Sequence, residues 1–397
     1  MKREEQKRTS LLGKGSIKVL NVLIITLLFL FSSMFGEFST INSCQGALKI
    51  EGRLSVEEGE CFELMVAKDN TAYIFTYHKQ GNYIEFVDLT NKSNPRRIGR
   101  YNVPDRGYVR AMEIHNGILY VLSDRHNETS YTSFFQLIDV TNLTKPSVIG
   151  EYQEINMSLT IDIVLYQDYI YLNADKKLLI LNQRNKSSIK LVKELPLQAA
   201  FIDESDGILY LLNKTLQAFD LTNPEQPSLI GELNNSRLYR MGLKVKGGIV
   251  YTLHWWNGIM AVDFKDPERP RIIDKYRFPQ RDFDGGGTIF ELAISNDYLF
   301  ASGADTFAFN IRNPHAILRV SKSKAGGLSI AIANEKIIAV HWNYLVVLSL
   351  HDQTKYMIEL GVSGGIIFCS SVAVVSISLN KKRKNKRRMK PPERKLI

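Results

Sequence analysis

The stretch "DLTNKSNPRRIG", Asp88 to Gly99, closes a run of alternating apolar residues, and the chain writes it again. "DVTNLTKPSVIG" begins at Asp139, "DLTNPEQPSLIG" at Asp220 and "DFKDPERPRIID" at Asp263. With the Asp as origin, a Pro stands seven residues on (Pro95, Pro146, Pro227, Pro270) and an Ile ten on (Ile98, Ile149, Ile230, Ile273). A Gly falls eleven on in three copies, and a Tyr thirteen on in three, with Leu233 in the fourth. Weaker copies start at Asn182, Asn310 and Ser349, so the mean step between the seven origins is about 43 residues. A period of that length that contains strands points to propeller blades.

Three strand-like runs precede each origin and a fourth follows the Pro. The first ends at a tight turn, and Asn116-Gly117, Asp206-Gly207 and Gly247-Gly248 tolerate the positive φ that two-residue hairpins require. Tyr, Ile, Val and Phe dominate the runs, as strands prefer. The Asp carboxylate, at the end of the third strand, can accept hydrogen bonds from backbone N–H groups of the turn. Pro presets φ and lacks an N–H, which suits the start of an outer strand. One four-stranded unit cannot bury both faces, so it must stack on its neighbours.

The sequence therefore predicts an all-β, seven-bladed propeller of four-stranded antiparallel blades over residues 48–355. "GRLSVEEGECFELMVAKDN", from Gly52, repeats the spacing of "GRYNVPDRGYVRAMEIHNG", from Gly99. Leu48–Leu54 thus reads as a fourth strand without a blade of its own, available to complete the last blade and lock the ring. "YMIEL", Tyr356–Leu360, is the competing strand.

"FVDLTNKSNPRRIGRY", "LIDVTNLTKPSVIGEY" and "QAFDLTNPEQPSLIGEL" resemble the LVIVD repeat of prokaryotic exported and cell-surface proteins. The resemblance covers most of 48–350 and is strong in four blades. It implies a β-propeller and an exported location, and no particular activity or catalytic residue.

The formal net charge of +10 is misplaced for a nucleic-acid binder. Residues 1–18 carry +4 and residues 381–397 carry +9, which leaves the body at −3. Each basic tail abuts an apolar run. Val19–Phe35 after the basic start has the layout of a signal peptide or signal anchor over residues 1–36, with 37–47 as a linker. Leu360–Leu379 is uncharged and long enough to span a bilayer, and the basic tail 380–397 then lies on the cytoplasmic side. These features predict a cell-membrane protein of one span, or two if the signal is uncleaved, with the propeller extracellular. Cys44 and Cys61 would both be exported and available to pair, with two free thiols as the alternative. Seven N-x-S/T sequons at Asn91, Asn127, Asn142, Asn156, Asn185, Asn213 and Asn234 are possible glycosylation sites; the turn motif by itself accounts for Asn91 and Asn142.

In a propeller, loops joining strands two to three and four to one share one face, and the tight turns and Asp…Pro turns share the other. The first face carries the distinctive residues: Tyr77 and His78; His254, Trp255, Trp256 and Asn257; and His341, Trp342 and Asn343. Aromatic loop residues suit protein or carbohydrate binding; packing between blades is the competing reading. Glu63, Arg110, Arg240 and Glu291 fall where a central channel would be lined. The chain has no HExxH, no GxSxG elbow, no P-loop and no dinucleotide fingerprint, so no catalytic residue, metal site or cofactor is assigned. The first expectation is a membrane-anchored binding module for an extracellular protein or glycan. Its alternatives are an exported hydrolase or oxidoreductase with a site in the funnel, and a structural envelope component.

Overall fold

The computed structural model describes residues 47–351, apart from 127–130, 156–159, 175, 235–237, 255–257 and 280–288. Its 28 strands form seven four-stranded antiparallel sheets. The innermost strands are Glu60–Lys68, Tyr108–His115, Thr160–Tyr166, Phe201–Ser205, Leu238–Lys246, Ile289–Ser295 and Ser329–Ala333. Each touches the innermost strand of the next blade, and the seventh touches the first, so the ring is closed.

Blade 7 is completed from the front of the chain, as the spacing of its Gly52 segment predicts. Ala47–Ser55 pairs antiparallel with Tyr344–His351, from Ala47 opposite His351 to Ser55 opposite Tyr344. The competing segment, Tyr356–Leu360, and the two apolar runs at 19–35 and 360–379 lie outside the described residues. Among the described residues no helix is long and apolar enough to cross a membrane.

Burial follows from the stacking. The third strand of blade 1, Tyr83–Asp88, is buried from Tyr83 to Val87, because blades cover both its faces. Such strands read as continuous apolar runs, whereas the outer strand Arg96–Asn102 keeps most residues accessible. Seven apolar clusters result, one at each joint between blades. Tyr73, Phe75, Ile84 and Phe86 of blade 1 meet Val109, Met112 and Val121 of blade 2, and Phe62, Met65 and Ile74 meet Ile338, Val340 and Leu345 of blade 7 at the seam.

The repeated turn works as its residues require. Asp88 accepts from the Thr90 N–H at 2.8 Å, Asp139 from Thr141 at 2.9 Å, Asp220 from Thr222 at 3.0 Å and Asp263 from Lys265 at 3.0 Å. A second such turn follows at once: Asn91 accepts from Ser93, Asn142 from Thr144 and Asn185 from Ser187. Three of the sequons are therefore also turn residues. Outer strands begin directly after Pro95, Pro146, Pro227 and Pro270.

The recurrent Gly has a separate cause. A Cβ on Gly99 would lie 2.2 Å from the Leu143 carbonyl oxygen, on Gly150 1.9 Å from that of Lys186, and on Gly231 1.9 Å from that of Pro267. The outer strands of blades 1, 2 and 4 thus rest on the turn of the next blade with room for hydrogen alone. Gly52 does the same against Lys92 across the seam, at 2.2 Å. Gly150→Ala is expected to lower stability by about 1–3 kcal/mol through backbone displacement. Gly247→Ala, in a left-handed turn but facing open space, should cost only about 1 kcal/mol. Thermal midpoints of the two variants check the difference; equal shifts would remove the close-packing explanation.

Candidate functional site

On the face formed by the two-to-three and four-to-one loops, a cavity of about 530 Å³ opens over blade 1. Three connections build it: 56–59, which leads from Ala47–Ser55 into blade 1; 79–82, between the second and third strands of blade 1; and 103–107, which leads to blade 2.

The third connection is held in a strained shape. Asp105 and Arg106 both adopt left-handed backbone, with φ of 50° and 58°, which side-chain-bearing residues enter at a cost. Asn82, 5% exposed, fixes them. Its amide nitrogen donates to the Arg106 and Gly107 carbonyls at 3.2 and 3.0 Å, its side-chain oxygen accepts from the His78 N–H at 3.1 Å, and its backbone carbonyl accepts from Val103 at 3.0 Å. His78 Nδ1 accepts from the Gln80 N–H at 3.3 Å, which leaves Nε2 turned toward Gly59.

Charge around the cavity is unevenly matched. Arg97 serves three carboxylates: Glu85 at 2.8 Å, Glu60 at 3.0 Å and Glu57 at 3.5 Å. Glu60 also accepts from the Tyr83 hydroxyl and from the Glu57 N–H. Burial, then the Glu60 carboxylate, pushes the Tyr83 phenol above its ordinary range. Burial likewise raises Glu85, against the pull of Arg97. Arg100 lies over the Tyr83 ring, 5.0 Å from its centre. Among the described residues neither Arg100 nor Arg106 is paired with a carboxylate.

Beside the cavity stands Trp342, 53% exposed at the tip of blade 7. Its carbonyl accepts from the Phe62 N–H at 3.0 Å and that of Asn343 from Val56 at 3.1 Å, so the loop is fastened to the start of blade 1. Beneath it His341 stacks on Tyr344 with centroids 4.8 Å apart, and Arg53 covers Tyr344 at 4.2 Å. Trp342 does not pack between blades. Tyr77, 43% exposed, belongs to the same face.

Of the other sequence-selected residues, Trp255, Trp256 and Asn257 lie outside the described residues, as do Cys44, Asn127 and Asn156; His254 ends its strand. Cys61 is partly buried and forms no disulfide among the described residues. Asn213 donates to Gln198 and Asn234 to Glu232. Sequence reading missed Asn82, Tyr83, Arg97, Arg100 and Arg106. One signal was present: beside the bulge of the outer strand the repeat places an aliphatic residue at Val148, Leu191, Leu229 and Ile272, where blade 1 has Arg97 and blade 6 Arg319; Arg97 lies opposite Val87 and reaches the buried Glu85.

Of the residues expected along the axis, Glu291 is found there. Glu63 takes the Tyr108 hydroxyl, and Arg110 pairs with Asp124 at 2.7 Å. The inner strands bring Glu113, Asp162 and Asp203 together with Glu291 around Lys244. Three of these carboxylates staple blade to blade: Asp162 accepts from the Ile202 N–H at 3.2 Å, Asp203 from Val245 at 2.7 Å and Glu291 from Ile330 at 2.7 Å. Among the described residues no group of His, Cys, Asp or Glu is arranged to hold a metal ion.

No family model and no curated protein matches the chain. Among solved structures it is similar to the WD40 domain of Toxoplasma gondii coronin, with a TM-score of 0.55 and 10% identity over 78% of this chain and 89% of that one. It is also similar to the computationally designed Ika8 protein, with a TM-score of 0.49 and 9% identity over 77% and 99%. The first likeness supports the propeller fold and nothing finer; the second carries no argument.

Proposed function

We propose that this propeller is a binding module held at the cell surface by its terminal segments, and that it takes carbohydrate on the loop face of blades 7 and 1. The exposed Trp342 beside a polar, hydrogen-bonding cavity carries the reading. A protein-binding surface has an apolar centre of several clustered side chains; among the described residues, the exposed rings of Trp342 and Tyr77 stand apart on a face whose cavity is lined mostly by polar groups. A flat aromatic ring covers the apolar face of a sugar while Asn, His and Arg take its hydroxyls. The remaining exposed aliphatics among the described residues, Ile50, Val148, Leu191, Leu229 and Leu318, sit singly on separate outer strands and need no partner.

The surface location rests on the basic-apolar ends of the chain and on the likeness of its turns to LVIVD repeats of exported proteins. Labelling intact cells with a membrane-impermeant reagent tests it: an unlabelled propeller would oppose it.

Full-length chain in detergent is the material for a glycan array. Trp342→Ala is expected to weaken capture about tenfold or more, the effect of removing a binding anchor. Its thermal midpoint should stay close to wild type, since an exposed side chain supports little of the fold. Undiminished capture by Trp342→Ala and Tyr77→Ala together would remove this face from the reading.

A further inference from the structure

We infer that the cavity over blade 1 recognises a carboxylate-bearing saccharide, a uronate unit flanked by neutral sugar, with Arg100 and Arg106 as the pair that takes the carboxylate. The inference rests on the carbohydrate reading above and names its ligand class.

The distribution of ion pairs is the main observation. Arg97 collects Glu57 and Glu60 of the cavity lining and the buried Glu85, while Arg100 and Arg106, the guanidinium groups that line the cavity, have no carboxylate among the described residues. A planar guanidinium matches a carboxylate in a two-point geometry that ammonium cannot reproduce. Arg100 is positioned by the Tyr83 face at 5.0 Å. That ring is itself held by its hydroxyl on Glu60. Arg106 is presented from left-handed backbone that the buried Asn82 amide maintains. Strain kept in place by a buried polar clamp is characteristic of a site. The two arginines come from different elements, the outer strand of blade 1 and the connection to blade 2, and converge on one opening.

The acidic wall sets the spacing of the charge. Glu57 and Glu58 line the same cavity. They repel a ligand with an anion at every unit, such as nucleic acid, and tolerate one whose carboxylates are separated by neutral residues. Trp342, exposed on the loop bonded to the start of blade 1, is assigned the neutral neighbour.

Calorimetry on the full-length chain in detergent, with an oligosaccharide of alternating glucuronate and N-acetylglucosamine, tests the assignment. The same oligomer with its carboxyls reduced to alcohols is the partner probe. The expected result is binding of the first and a loss of about tenfold or more for the second, the scale of a hydrogen bond to a charged group. Arg100→Gln and Arg106→Gln should each lose a similar factor for the uronate and nothing for the reduced oligomer. Arg106→Lys keeps the charge without the fork and should fall between. Equal binding of the two oligomers, with Trp342→Ala losing both, would overturn the carboxylate assignment and leave the carbohydrate reading intact. Binding of neither, with capture of other glycans through Trp342, has the same consequence. Capture of no glycan at all would remove both. An arginine variant whose thermal midpoint drops is replaced by the other, since they stand on separate elements.

Discussion

Replacing Ala47–Ser55 by nine residues of Gly and Ser is expected to abolish cooperative unfolding of the whole propeller. The strand is a small part of the chain but serves three blades. It pairs along the full length of Tyr344–His351. Its Leu48 N–H donates to Ser321 of blade 6 at 2.7 Å, Gly52 rests on the blade 1 turn, and the Ser55 carbonyl accepts from Arg97 at 3.1 Å. Without it, the third strand of blade 7 becomes an open edge beside the buried Leu345, Val346, Val347 and Leu348, a template for aggregation. Cutting off these contacts removes several kcal/mol from a net stability that is typically about 5–15 kcal/mol. Near-ultraviolet circular dichroism and a thermal scan would show loss of fixed aromatic packing and of a single transition. A replaced chain that melts cooperatively within a few degrees of wild type would show that the ring does not need its borrowed strand.

The second large effect is expected at the axis. Lys244 stands among Asp203, Asp162, Glu291 and Glu113, and the Asp203 charge, more than any other, holds its ammonium protonated. Lys244→Met leaves four carboxylates with no cation between them. Removing one partner of a buried ionic group costs about 3–5 kcal/mol, and since the channel is partly accessible the lower end, about 3 kcal/mol, is expected near pH 8.

The loss should shrink on acidification. Burial pushes the Asp162 carboxyl up to about 7 and raises Glu291 and Glu113 as well. An acid whose folded pKa lies above its unfolded value binds more protons when folded. Its contribution is complete below about pH 4 and disappears as pH rises through about 7. Wild-type protein should therefore be more heat-stable at pH 5 than at pH 8, and Lys244→Met should gain more from that change. Glu51 acts in the opposite sense: bonds from Ser349 and His351 hold it at about 2. Its stabilisation is present above about pH 4.5 and fades below. The stability maximum set by these groups should thus lie near pH 4 to 5, about where the Glu51 gain is complete and the loss at Asp162 begins. Thermal midpoints of both proteins from pH 4 to 9 check this; a pH-independent difference between them would contradict it.

Why the first of these effects was legible in the sequence and the second was not is a matter of range. The Asp…Pro turn, its Gly and the strand runs are local devices, and the spacing from Gly52 exposed the borrowed strand because it repeats that from Gly99. Asp162 in "IDIVLY" and Lys244 in "GLKVKGG" look like the solvent side of ordinary strands. Only closure of the ring turns them toward one another. The cavity has the same character: Glu60, Asn82, Arg100 and Arg106 come from four elements and carry no common spacing. Arg97 was a partial exception, a charge at a repeat position that is aliphatic in Val148, Leu191, Leu229 and Ile272, though blade 6 has Arg319 there. Trp342 was visible because loops rarely carry that residue without cause, and its exposure, which decides between packing and binding, is a property of the folded chain alone.

The close approach of each outer-strand Gly to its neighbour's turn makes the joint heterologous: a protrusion on one blade fits a recess of different make on the next, always in the same rotational sense. Gly52 on Lys92 obeys this rule as fully as Gly99 on Leu143. The seam is therefore built as the junctions after blades 1, 2 and 4 are, and the polypeptide has freedom over where its ends fall. New termini opened in the exposed turn of another blade, with the original ones joined, would present the same succession of fits around the circle.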